Sequence, residues 1–183
     1  MSEIPLSSPE KNKQKDDARK FVIDGPLSRE LLDQHHAGGY NMTVDWTVIG
    51  AGSETKIACK EYDDGSFGIW RVAKVKEGAS RSVEREELSL EKYAEAVSRP
   101  VKHLEKRRYE FELEQNGIRF SLKYDNIEHD ILFLLEVDAA TPDLRARFDA
   151  DAFAATYGYG ITEVSGKSEY EGHAIVDFLK TLK

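Results

Sequence analysis

The stretch Leu134-Leu135-Glu136-Val137-Asp138-Ala139-Ala140 decides the fold, because it sets two carboxylates on alternate positions of what otherwise reads as a buried apolar strand. Successive side chains of a strand point to opposite faces, so Leu135, Val137 and Ala139 share one face and Glu136 and Asp138 the other. Two like charges one repeat apart are costly. Unless their face meets solvent, something positive belongs opposite them, either a metal ion or a basic lining.

Two preceding segments repeat the pattern. In 104–114, Tyr109, Phe111 and Leu113 alternate with Lys106, Arg108, Glu110 and Glu112. In 118–125, Ile118, Phe120, Leu122 and Tyr124 alternate with Arg119, Ser121, Lys123 and Asp125. Asn116 and Gly117 supply the turn between them. Three consecutive strands therefore offer one apolar and one polar face each, as in a sheet covered on one side. Two arrangements satisfy this periodicity. In one the charged faces meet bulk water, which composition favours. In the other the sheet curls into a barrel, with charges inward around a wet cavity and helices on the apolar exterior.

Upstream, "RKFVID" reads as a strand and "SRELLDQHHA" as a helix capped by Ser28 with Leu31 and Leu32 on its buried side. Four β-rich pieces follow between Gly, Ser and Asp turns, forming an antiparallel meander from Tyr40 to Leu88. Ser89 caps the helix "LEKYAEAV". Downstream, Thr141 with Pro142 opens a helix through "DLRARFDADAFAATYG", and "GHAIVDFLKTL" forms a closing helix after the short segment "ITEVSGKSEY". The class is α+β with an antiparallel sheet.

The chain of 183 residues suits one domain, expected over 16–183 behind a disordered tail at 1–15 that is rich in Ser, Pro, Lys and Asp. The net charge of −8 argues against generic nucleic-acid binding. A single cysteine, Cys59, excludes an intrachain disulfide and suits a cytoplasmic setting. No apolar run approaches the roughly 20 residues that a membrane span needs. His35 and His36 point about 100° apart on a helix, which disfavours a joint metal site.

In combination, "LEKRRY", "FLLEVDAATPDLRARFDADAF" and "TEVSGKSEYEG" resemble three motifs of the CYTH family, the triphosphate tunnel metalloenzymes that include inorganic triphosphatases, thiamine triphosphatases and class IV adenylyl cyclases. The resemblance spans about eighty residues in order and spacing. It implies an eight-stranded antiparallel β-barrel forming a tunnel with flanking helices. It also implies metal-dependent hydrolysis of inorganic triphosphate or of a triphosphorylated small molecule or nucleotide. Lys106 and Arg108 fall at substrate-binding positions, with Lys106 and Glu136 as catalytic candidates. Glu136 and Asp138 fall at paired acidic positions for Mg²⁺ or Mn²⁺.

The first half matches less closely. The opening acid-x-acid-x-Lys frame reads Asp16, Ala18 and Lys20, and an Arg-x-Arg pair reads Ala58 and Lys60. Lys74 or Arg71 stands for the next basic residue, and Glu84 with Glu86 for a further acidic pair of metal ligands. Lys123 replaces an acid; it either supplies the cation lost at Ala58 or pairs with Glu136 or Asp138 and displaces the metal. The alternative implied by these departures is a non-catalytic tunnel protein that binds polyphosphate or a nucleotide. The oligomeric state is left open, a homodimer included.

Overall fold

The computed structural model describes residues 18–77 and 80–183. Nine strands form one antiparallel sheet: β1 (Arg19–Ile23), β2 (Gly38–Gly50), β3 (Ser53–Tyr62), β4 (Phe67–Glu77), β5 (Ser80–Glu87), β6 (Lys102–Gln115), β7 (Ile118–Ile127), β8 (Leu132–Asp138) and β9 (Ile161–Glu163). Their order across the sheet is β5-β4-β3-β2-β6-β7-β8-β1-β9, so β5 and β9 are its edges and the sheet is open. The antiparallel sheet with flanking helices is as expected. The architecture differs from the eight-stranded barrel because "ITE" adds a ninth strand on β1 and, among the described residues, no ladder joins the two edges. The expected tail at 1–15 lies outside the described residues.

One face carries the main apolar core. Phe111 and Leu113 of β6, Phe120, Leu122 and Tyr124 of β7, Leu135 and Val137 of β8, and Phe21 and Ile23 of β1 pack together there. Helix α1 (Arg29–Gln34) adds Leu31 and Leu32. Ser28 starts it by accepting a hydrogen bond from the Leu31 amide at 3.2 Å. Ser89 caps α2 (Leu90–Ala96) in the same way. The hairpin joining β6 to β7 turns on Asn116 (φ 52) and Gly117 (φ 74), the left-handed pair a tight hairpin requires.

The long helix expected after Thr141 is two helices, α3 (Pro142–Ala146) and α4 (Ala150–Tyr157). Asp149 breaks the run by capping α4 itself, accepting from the Ala152 amide at 2.8 Å. Phe148 and Phe153 enter the main core.

The closing helix α5 (Ala174–Leu182) departs from the expectation that helices cover the apolar face. Its Ile175 and Leu179 pack with Val44, Trp46, Leu104, Ile127, Leu132 and Leu134, which alternate with the main-core residues and so belong to the opposite face. That face is apolar at one end, under α5, and charged beyond it. No helix among the described residues is long and apolar enough to cross a membrane.

Candidate functional site

Register assembles the charged face. Lys106 and Arg108 of β6 pair with Ile127 and Asp125 of β7 on one side and with Met42 and Tyr40 of β2 on the other. Lys123 lies between Glu110 and Glu136, and Lys20 lies on the far side of Glu136. On the other flank, β3 contributes Glu54, Lys56, Ala58 and Lys60, and β4 contributes Gly68, Trp70 and Lys74. The row from Glu110 through Lys123 and Glu136 to Lys20 alternates in sign, so each carboxylate has a cation beside it.

The centre is Asp125, 2% exposed. Lys106 Nζ donates to its Oδ2 at 2.7 Å, while Arg108 donates through Nε to Oδ1 and through Nη2 to Oδ2, both at 2.6 Å. This is the fork geometry that makes arginine pairs strong. Glu136 Oε1 stands 3.9 Å from Arg108 Nη2. The face is thus enclosed around Asp125, while Glu110, Lys123 and Asp138 on it are exposed. Burial favours a neutral Asp125, but Lys106 and Arg108 outweigh it and hold the carboxyl well below its usual range. Burial and the neighbouring guanidinium push Lys106 down, whereas Asp125 more than offsets burial for Arg108 and keeps it charged.

Lys56 sits in the same field. Burial, with Lys74 and Lys106 nearby, brings it down to about 7. Glu54 is its acidic neighbour, held low despite burial by Lys56 and Lys74 and by hydrogen bonds from His173 and Trp46. Glu54 Oε2 accepts from Trp46 Nε1 at 3.2 Å and lies 3.3 Å from His173 Nδ1, next to the first turn of α5. Tyr40 donates to Glu110 Oε1 at 2.6 Å, which together with burial raises its phenol well above the ordinary value.

Lys20, Lys60, Lys74, Lys106, Arg108, Lys123, Glu136 and Asp138 thus share one face. Arg71, Glu84 and Glu86 do not. Arg71 and Lys74 are three positions apart on one strand and must point to opposite sides; Lys74 reaches Glu54 at 3.9 Å, and Arg71 pairs outward with Glu86 at 3.8 Å. Glu84 faces Ala73 on that same outer side. Asp138 accepts from Arg145 of α3 at 2.9 Å. Among the described residues no three His, Cys, Asp or Glu side chains gather to hold a metal ion. Glu136 and Asp138 are the paired acids of this face, Glu136 beside Lys20 and Lys123 and Asp138 beside Arg145.

Three members were not singled out from sequence. Lys56 lies two and four positions before Ala58 and Lys60, so alternation alone places it with them. Asp125 stands in the charged alternation of β7, yet its partners depend on register. Glu54 depends on β3 as well as on α5 and the residues before it. His35 bonds Tyr157 Oη at 2.9 Å. Cys59 faces the side opposite Lys60, where burial raises its thiol. A cavity of about 340 Å³ is lined by Asn41, Glu61, Arg107 and His129 and also touches Met42 and Lys106, and one of about 520 Å³ is lined by Arg19, Arg147 and Glu163.

Neither family models nor curated protein sequences match the chain. Solved structures do. Two structures of NE1496, one described as a hypothetical protein and the other as an inorganic triphosphatase, superpose with a TM-score of 0.58 at 17% and 16% identity, covering 87% and 88% of this chain and 95% and 97% of theirs. The fold is the CYTH fold. A putative adenylate cyclase from Bacillus halodurans shares it, with a TM-score of 0.50 at 12% identity over 86% of this chain and 97% of that one. At these identities the likeness establishes the CYTH architecture alone.

Proposed function

We propose that this CYTH-fold protein binds a triphosphate on its charged face and hydrolyses it with a divalent metal ion. The supporting observation is the enclosed cluster of Lys106, Arg108 and Asp125 with Lys56, Lys60 and Lys74 on the same face, in a chain whose net charge is −8. Concentrating cations there runs against the composition, and polyanion binding accounts for it. Fold likeness to an inorganic triphosphatase agrees with this reading.

In the proposed complex Lys106 and Arg108 turn from Asp125 toward phosphate oxygens, the guanidinium fork taking two at once. Lys20, Lys60, Lys74 and Lys123 neutralise the remaining charge, and Ala58 leaves a gap that Lys56 fills from two positions away. Glu136 and Asp138 hold Mg²⁺ or Mn²⁺, which when bound supplies further charge neutralisation on the phosphoryl group being transferred. Glu136 also orients the attacking water. Positioning and charge stabilisation carry the rate, since phosphoryl transfer asks little covalent work of the protein. In its finer form the proposal has the open sheet curl into a tunnel around the substrate, in a cytoplasmic protein.

The test is phosphate release from inorganic triphosphate, ATP and thiamine triphosphate with Mg²⁺, Mn²⁺ or chelator, for the natural protein and Glu136→Gln. Release that needs metal and is lost in Glu136→Gln supports the proposal. Release undiminished by chelator overturns the metal-dependent step. No release, with triphosphate still raising the melting temperature, makes the protein a binder without catalysis, a reading favoured by the cation beside each carboxylate of the charged face.

A further inference from the structure

We propose that the charged face carries a stacking site for a heteroaromatic ring, centred on Trp70, so that its ligand is a nucleoside triphosphate in preference to a triphosphate without a ring. The inference rests on the reading that the cation cluster binds the triphosphate.

Three aromatic side chains stand on this face without belonging to either apolar core: Tyr40, Tyr62 and Trp70. Trp70 pairs across β3 with Ala58, whose methyl group leaves the indole unobstructed on that side. Along its own strand the indole lies over Gly68. A Cβ built at Gly68 would overlap the six-membered ring at Cη2, so glycine is what lets the ring lie flat against the backbone. A half-buried indole held flat and belonging to neither apolar core is a platform of the kind on which bases stack.

Lys60 joins this platform to the cations. Its Nζ stands 5.4 Å from the Trp70 ring centroid and 4.5 Å from that of Tyr40, and Tyr40 and Tyr62 are 5.4 Å apart. Tyr40 is fixed by its bond to Glu110 and neighbours Arg108 across the sheet. Gly68, over which the indole lies, is level with Lys106 through Lys60 and Met42, three strand spacings or about 14 Å away along the sheet. A ribose with its phosphates bridges that span. Triphosphate on Arg108 and Lys106 therefore brings an attached base within reach of Trp70, with Lys60 able to follow the phosphates and leave the ring face to the base.

Binding is measured by calorimetry on the full chain with ATP and with methyl triphosphate, which keeps the charged tail and lacks the base. ATP is expected to bind more tightly by roughly 5- to 150-fold, the range one stacked base supplies. In Trp70→Leu that ratio collapses toward one, in Trp70→Phe most of it survives, and in Gly68→Ala, where the indole is displaced, it falls. Quenching of tryptophan fluorescence by ATP persists in Trp46→Phe and disappears in Trp70→Leu. Equal affinities in the natural protein, or a ratio unchanged in Trp70→Leu, overturn the stacking site and leave triphosphate binding standing. Failure of both ligands to bind overturns the two proposals together.

Discussion

Replacing Asp125 by Asn keeps its shape and removes the charge to which both Lys106 and Arg108 donate hydrogen bonds. The side chains of Asp125, Lys106 and Arg108 are 4%, 11% and 13% exposed, so water recovers little of the lost interaction. Removing one partner of a buried ion pair typically costs about 3–5 kcal/mol. For a chain of this size that corresponds to a fall in melting temperature of roughly 6–20 °C. Urea unfolding at pH 7 measures it directly, as a lower midpoint at unchanged slope. Triphosphate supplies the second readout. Asp125 competes with phosphate for Lys106 and Arg108, so Asp125→Asn should gain more stability from saturating triphosphate than the natural protein does. A loss under about 1 kcal/mol would refute the claim that the cations are locked away from water. A normal loss with no extra stabilisation by triphosphate would refute the claim that phosphate takes Asp125's place.

Two groups give predictions that depend on pH. Lys56 has a folded pKa of about 7 against an ordinary 10.5, so between those values the unfolded chain holds a proton that the folded chain lacks. This group's contribution to stability therefore rises with pH across that window. Triphosphate returns the proton, and calorimetry at pH 8 in buffers of different ionisation enthalpy should show uptake of about one proton, abolished in Lys56→Met. On the outer face, the hydrogen bond from His103 to Asp45 raises the histidine, with burial opposing. Its contribution is complete below the unfolded pKa and is lost as pH rises through the folded one, so Asp45→Asn should flatten the decline in melting temperature from pH 6 upward.

Where side-chain parity within one strand was enough, the sequence was readable. Glu136 with Asp138, and Lys106 with Arg108, share a face because two positions separate each pair, and the caps at Ser28, Ser89 and Thr141 mark helix starts correctly. Parity also decides between Lys74 and Arg71, since residues three apart cannot both face the same side. What parity could not supply was pairing between distant strands. The junction of Asp125 with Lys106 and Arg108 needs the β6–β7 register, and the bridge from Glu54 to His173 joins residues 119 positions apart. The amphipathic character of α5 is visible in 174–182, but only packing shows that its apolar side meets the charged face of the sheet. Asp149 illustrates a local conflict: it reads as a tolerable residue inside a long helix, yet its side chain begins a new one.

Glu84, Arg85, Glu86 and Glu87 close the last half of β5, an eight-residue strand with no neighbour on its outer side among the described residues. Such a border offers unpaired backbone amides and carbonyls to any passing strand, including another copy of itself. A run of charges that is three parts acid makes that union repulsive, since antiparallel copies would bring carboxylates against carboxylates. Glu84 and Glu86 belong to that run, on the side away from the cation cluster, where their charge opposes such pairing.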